Sequence, residues 1–442
     1  MDLHKPGLYL LNHLIQFMKA KILFILFIFL FNVYTIKAQE FKAGAATKVI
    51  TPEKLLPISG GMGTPEMPLG KQGNLFVRAL VFEKGDTKVA IVGIDNLGWP
   101  AVLGDRSREL IKNIPPENIL IGVTHTHSAP DAYAFPDKNG NTGADLTYLD
   151  WCVIQIAEAV NEAFDNLEPA ALKTAVGEAK GKIAYNYYAP QLYDPGCGVI
   201  QAIATTGEHK GKTIATLINY ATHPEILGTK SKLISPDLCG PLYERIEAKA
   251  GGIALFMNGA QGGMVTADNR RENGVEANDW QECIRIGYLM ADEALRIIEP
   301  APVDENPGLF CTSKIIEFPI EPEEMRWVFE NSPVLNSANQ NHSFNMISTR
   351  LNLINLGKAQ ILTIPGEALP NIGYYLKRNM KTKQPFLFGL TNDALGYIMV
   401  KEDFNSFERY NYISRTSLGE MTGEIFVSEA MSLVKENPGP EE

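Results

Sequence analysis

Cysteine is scarce and scattered. Cys152, Cys197, Cys239, Cys283 and Cys311 form no CxxC pair, and their odd number leaves at least one without a partner. That excludes both a zinc-finger ligand set and the disulfide framework of small secreted domains. It leaves room for one or two bridges, with burial the expected fate of most thiols. Long Lys/Arg runs are missing too, and the net charge is −11, so nothing in the charge supports nucleic-acid binding. The 442 residues hold no repeat and no low-complexity linker. No apolar run reaches the roughly 20 residues of a membrane span.

What is present is the composition of a folded globular chain, 45% hydrophobic and 21% charged, long enough for one large or two ordinary domains. The longest apolar run, Ile22 to Phe31, follows Met18-Lys19-Ala20-Lys21 and fades toward Ala38. A basic start, a short apolar centre and a small residue at the end predict a secretory signal peptide over residues 1–38, with an uncleaved anchor as the weaker alternative. The 17 residues before Met18 add nothing to this pattern, which marks Met18 as a second candidate start. No Cys lies near the end of the segment, which argues against a lipoprotein. Removing it takes away four Lys and one Asp and moves the charge from −11 to −14. The expected product is exported, whether periplasmic, cell-surface or secreted.

The remainder reads as strands alternating with helices. Phe41 to Pro52 predicts an opening strand, and Ser59 to Gly70 a glycine-rich stretch whose expected role is simply to turn the chain. Val77–Glu83 and Lys88–Ile94 predict a hairpin at Gly85-Asp86. A helix is expected over Asp105–Asn113. Leu149, Val153, Ile156, Val160, Phe164 and Leu167 keep three- and four-residue spacing, which predicts an amphipathic helix from Asp145 to Leu167. A second is expected over Trp280–Ile298, and a last one over Gly423–Lys435. Further strands are read at Thr213–Tyr220, Ile253–Met257, Leu351–Leu356, Gln360–Ile364 and Phe386–Leu390. Residues 301–307 mark either an internal boundary or a surface loop.

The chemistry gathers where these strands end. Ile119 to Val123 leads into Thr-His-Thr-His, and in an extended chain His125 and His127 project from one face. Thr213–Tyr220 leads to His223, Ile253–Met257 to the Asn258 loop, Gln360–Ile364 to Glu367, and Phe386–Leu390 toward Tyr397. Side chains just past strand ends line the crevice of open α/β sheets. Two histidines and a carboxylate from separate strands make a usual catalytic zinc set with one position left for water. Each has a plainer alternative: a surface turn for the His pair, a strand cap for His223, a solvated turn for Glu367 and ring packing for Tyr397. Of the other histidines, His4 and His13 fall in the leader, and His209 and His342 lie in polar loops.

Taken in order, ATKVITP, VTHTHSAP, NYATHP, FMNGAQGG, IPGE and GLTNDALGY resemble the neutral/alkaline, non-lysosomal ceramidases over residues 44–419. The resemblance implies an α/β fold, with a mixed β-sheet core flanked by helices and the active site at strand ends. It implies a zinc amidase that splits ceramide into sphingosine and fatty acid, with His125, His223, Glu367 and Tyr397 as Zn2+ ligands. His127 would then lie beside the metal and help hold the substrate or protonate the leaving amine. Tyr412, or else Tyr410, would support the oxyanion. One catalytic domain is expected over 39–437, with a polar tail at 438–442 and no C-terminal immunoglobulin-like domain. The expected partner is a lipid-like N-acyl substrate, for which a membrane surface is one source; oligomeric state stays open. A zinc hydrolase of another amide or ester, such as an acylated sugar or amino lipid, is the first rival. A non-catalytic lipid- or glycan-binding surface protein is the second.

Overall fold

The computed structural model describes residues 13–19, 21, 39–338 and 345–441. The chain divides into two units, Met1–Glu40 and Phe41–Glu442. In the first, residues 13–19 are helical and exposed; the apolar run of the leader lies outside the described residues, as does His342. Among the described residues no helix is long and apolar enough to cross a membrane.

The second unit is built on an eight-stranded sheet. Its strands are β1 (Phe41–Val49), β2 (Phe76–Lys84), β3 (Thr87–Ile94), β4 (Ile119–Val123), β5 (Glu168–Glu178), β6 (Gly196–Ala204), β7 (Thr213–Tyr220) and β8 (Ile253–Asn258). Their spatial order is β8-β7-β6-β5-β1-β2-β3-β4. The sheet is mixed: β7 pairs with β8 and β3 with β4 in parallel, and the other pairings are antiparallel. A second sheet carries β9 (Leu309–Pro319), β10 (Met346–Leu356), β11 (Ala359–Thr363) and β12 (Gln384–Phe388) in that order.

The two sheets face each other. Leu80, Ile91, Leu217 and Met257 of the first share one core with Ile354, Ile361 and Phe386 of the second. Alternation along β3 shows how the layers arise, for Val89 and Ile91 enter that core while Val92 and Ile94 turn outward. Strands covered on both faces lose the polar alternation and read as continuous apolar runs. Helices α1 (Ala101–Glu109) and α2 (Leu146–Asp165) cover the β1–β4 half of the large sheet. Helices α3 (Cys239–Ala250) and α4 (Trp280–Ile298) cover the other half. The outer face of the small sheet packs on α5 (Glu323–Asn331), α6 (Pro370–Asn379) and α7 (Thr422–Glu436). The mixed sheet flanked by helices expected from the sequence is present, with a second sheet stacked on it.

Local chemistry accounts for the helix starts. The Asp145 carboxylate accepts from the Tyr148 amide at 3.0 Å and caps α2. Asp279 does the same for α4 through Glu282 at 2.9 Å, each cap worth about 1 kcal/mol. Ile286, Met290 and Ile297 of α4 are buried, at about 2 kcal/mol per side chain. The helix expected over Asp105–Asn113 begins earlier, directly after Pro100, and stops at Glu109. Proline supplies a start there, and the Pro115-Pro116 pair forbids continuation. Residues 301–307 are no boundary: Asp304 exchanges backbone hydrogen bonds with Leu172 of β5 at 2.8 and 2.9 Å. All five cysteines are free thiols, four of them buried. No further β domain occurs among the described residues.

Candidate metal centre

Parallel pairing sets the C-terminal ends of β3 and β4, and of β7 and β8, side by side, and the loops leaving them carry the histidines. Asn258, at the end of β8 and wholly buried, ties these loops together. Its Nδ2 donates to the Thr124 carbonyl at 3.0 Å and the Thr222 carbonyl at 2.7 Å, while its Oδ1 accepts from the Thr222 and Gly259 amides. Each histidine loop is therefore pinned one residue before its imidazole.

His125 does not sit in an extended chain, as the His-x-His spacing suggested. β4 ends at Val123, and His125 adopts a left-handed φ of 70°. Its amide donates to the Asn96 carbonyl and its Nδ1 lies 2.5 Å from the Leu97 carbonyl. Both histidines reach the same place through a turn anchored on the β3 loop, not through strand alternation. A left-handed non-glycine residue costs about 1 kcal/mol or more and persists only where its surroundings hold it.

Three imidazoles converge. The candidate donor atoms of His125, His127 and His223 all lie within 4.8 Å of one another, and ring centroids are 4.7–5.5 Å apart. The His223 Nδ1 bonds the Val265 carbonyl at 2.7 Å. Its Nε2 meets Oε2 of Glu367 at 3.1 Å, and the same oxygen lies 3.6 Å from Nε2 of His125. Nδ1 of His127 is 3.4 Å from Oε2 of Glu225, and its Nε2 is buried with no protein partner. Each ring is thus oriented through Nδ1 and turns Nε2 inward, the arrangement that outer hydrogen bonds impose on metal-binding histidines.

Charge states follow from burial. Desolvation pushes His125 and His127 down to about 3, so both are neutral at pH 7, the form that binds a cation. For His223 burial opposes the charge most strongly, but the hydrogen bond its ring donates to Glu367, the charges of Glu225 and Glu367 and the Val265 carbonyl together outweigh it and raise the imidazole. Burial likewise opposes charge on Glu367, and the facing histidines hold its carboxyl low. Three nitrogens and one carboxylate oxygen are a donor set suited to zinc. The orphaned Nε2 of His127 is the kind of buried polar atom that an ion or its water would satisfy.

Glu367 and Tyr397 sit opposite each other in a short parallel pairing, Glu367–Ala368 against Tyr397–Ile398. The glycine-rich Asn258 loop reaches this strand closely, since a Cβ at Gly262 would collide with the Glu367 carbonyl. Tyr397 is buried and its hydroxyl donates toward Met264 Sδ at 3.4 Å; burial and the Glu367 carboxylate raise its phenol well above the ordinary value. A cavity of about 70 Å³ opens over His125, His127, Glu367 and Tyr397, with Tyr412 on its wall. Tyr410 does not line it; its ring packs on Tyr188 and Phe407 at 5.4 and 5.6 Å. Of the other histidines, His209 pairs with Glu168 at an exposed site, and His13 is exposed in the first unit.

The glycine-rich stretch does more than turn the chain. Gly60 and Gly61 form the lip of the cavity, where Gly61 (φ 139°) lies so close to the Tyr412 hydroxyl that a Cβ would come within 2.8 Å. The Gly60-Gly61 pair itself was the available signal, but turns use the same pair.

The sequence matches no family model and no curated protein. Comparison of the coordinates with solved structures is more informative. A neutral ceramidase from Pseudomonas aeruginosa superposes with a TM-score of 0.74 at 16% identity, over 90% of this chain and 75% of that one. A ceramidase complexed with C2 gives 0.72 at 18%, over 90% and 76%. The chain has the neutral ceramidase fold. Within this ceramidase fold, the converging histidines and Glu367 come from the strand ends that the motifs marked. Glu225 and the Gly60-Gly61 lip are the additions that geometry makes to them, and Asn258, already marked by its motif, gains its role as the tie between the histidine loops.

Proposed function

We propose that the chain is an exported, zinc-dependent amidohydrolase that cleaves the N-acyl bond of a lipid-like substrate, with ceramide the first candidate. The observation that carries this reading is the convergence of three imidazoles, those of His125 and His223 facing the Glu367 carboxylate, beside a cavity with an apolar wall. The ceramidase fold and the order of the motifs support it, and the basic-then-apolar leader supports export.

His125, His223, Glu367 and Tyr397 would hold the zinc, with His127 within reach of the same point. A zinc ion there supplies a Lewis acid and a water acidic enough to act as a nucleophile at neutral pH. The protein's own groups do the rest. Leu97, Phe135, Met325 and Phe329 form the apolar wall that takes the acyl chain and excludes water from the carbonyl. Tyr412, half exposed on the cavity wall, would donate its hydroxyl to the oxygen that gains charge. His127, neutral with Nδ1 turned to Glu225 and Nε2 free of protein partners, would take a proton from the attacking water at Nε2 and pass it to the departing nitrogen. The deciding experiment loads the purified protein with zinc, supplies acyl-labelled ceramide and measures free fatty acid. Stoichiometric zinc with fatty-acid release is the expected result. Zinc-replete protein inert toward ceramide and toward other N-acyl lipids would remove the reading.

A further inference from the structure

Five polar side chains on the cavity wall have parts in the proposed reaction: His125, His127, Glu367, Tyr397 and Tyr412. Thr416, on the same wall, turns its hydroxyl to the Tyr412 carbonyl at 2.8 Å. Asp393 takes the Ala101 and Ala394 amides on Oδ1, and its buried Oδ2 has the Thr349 hydroxyl beside it. Tyr133 also lines the cavity, and it makes its hydrogen bonds through the backbone alone. Its hydroxyl meets no partner among the described residues, although the residue is buried. A buried tyrosine hydroxyl normally finds one.

Everything else about Tyr133 is held in place. Oδ1 of Asp131 accepts from its amide at 3.0 Å, and the Ser332 hydroxyl donates to its carbonyl at 2.9 Å. Its ring stacks on Phe135 with centroids 4.6 Å apart. A Cβ on Gly98 would come within 2.0 Å of the phenol oxygen, so glycine leaves the room it occupies. Phe135 belongs to the wall assigned to the acyl chain, which makes Tyr133 a polar group in an apolar surface. Burial raises the phenol, and the foremost charge adding to this is Glu367, which sets the hydroxyl near the substrate carbonyl. A plain alkyl chain lying there would leave the hydroxyl unpaired. An alcohol on the chain would accept from it and keep a proton to donate.

We propose that Tyr133 is a specificity residue for the acyl half, its hydroxyl bonding an alcohol on the second or third carbon of the chain. The preferred substrate is then a hydroxyacyl amide, such as a ceramide with a hydroxylated fatty acid. The inference rests on the amidase reading and narrows the acid that is released. The alcohol itself stays intact: water adds across the carbon–nitrogen bond, giving the hydroxy acid and the free amine.

The test gives zinc-loaded enzyme N-dodecanoyl-sphingosine and its 2- and 3-hydroxydodecanoyl counterparts in one detergent, reading free sphingosine. One of the hydroxyacyl amides is expected to exceed the plain amide in kcat/KM by about 10-fold or more. Tyr133→Phe removes a single oxygen and should bring that ratio within about two-fold of one. The matching free hydroxy acid should inhibit wild type about 5-fold more tightly than dodecanoate, a measurement that needs no variant. A wild-type ratio near one, or equal inhibition by the acids, overturns the inference while leaving the amidase standing. A ratio that survives Tyr133→Phe overturns it as well. If none of the three amides is cut, the amidase reading falls and this inference with it.

Discussion

Nε2 of His223 lies 3.1 Å from Oε2 of Glu367, although 144 residues separate them in the chain. The first side chain follows β7 of the large sheet and the second follows β11 of the small one, so the contact exists only because the two sheets are stacked. Both groups are buried, and each stabilises the ionised form of the other. A cation replacing the shared proton, as proposed, would meet imidazoles already oriented by the Val265 and Leu97 carbonyls.

Replacing His223 by Ala should abolish stoichiometric zinc and lower kcat/KM by about 10³-fold, since the ion's contribution is several kcal/mol. Elemental analysis of dialysed protein beside wild type checks the metal, and the amide assay checks the rate. A variant that keeps one zinc per chain would remove His223 from the ligand set.

Asn258→Ala removes the amide that spans the two histidine loops. Leaving the Thr124 and Thr222 carbonyls unpaired in the core should cost about 2–4 kcal/mol, and the loosened loops should weaken zinc affinity about 10–100-fold. Chemical denaturation and a chelator competition measure the two effects separately.

Tyr412 and Tyr410 occupy different environments, one on the cavity wall and the other packed on Tyr188. Tyr412→Phe should therefore lower kcat by about 10²-fold with little change in KM, the size expected for one lost oxyanion donor. Tyr410→Phe should stay within about two-fold of wild type. Steady-state kinetics of the pair decides between them.

Asp237 supplies the pH test. Burial pushes its carboxyl up from 3.8 to about 6, against the amides of Leu227 and Leu238. Because the folded value is the higher one, the native state keeps a proton that the unfolded chain releases. The stability gained this way is complete below about pH 4 and is lost as pH rises through about 6. Relative to Asp237→Asn, wild type should lose about 3 kcal/mol between pH 4 and pH 7. The φ of 54° at this position suits Asn. Urea denaturation across that range checks the slope; a constant difference would refute it.

The thiols offer a simple check on packing. Burial raises Cys152, Cys197 and Cys311 to about 12, so little thiolate forms at neutral pH. Native protein should react slowly with a disulfide reagent and release five equivalents once denatured. Reductant should leave the melting temperature unchanged.

Much of this molecule was legible in one dimension. The helices Leu146–Asp165 and Trp280–Ile298 follow from apolar spacing and an Asp cap, and the Thr87–Ile94 strand from its unbroken apolar run. These are local properties, repeated every 3.6 or 2 residues. The candidate ligands could be picked out because each polar group follows directly on an apolar strand. Other parts were not visible. β5 and β6, near the middle of the large sheet, are rich in Ala and Gly and carry too weak a pattern to announce a strand. The left-handed turn at His125, the bridge made by Asn258 and the choice between Tyr410 and Tyr412 depend on neighbours from about 30 to more than 200 residues away in the chain. The amino-acid order by itself determined which segments could be strands and which groups stood at their ends. Only the tertiary structure decided that those ends meet, because pairing order and the stacking of two sheets are set by the whole buried surface and not by any local run.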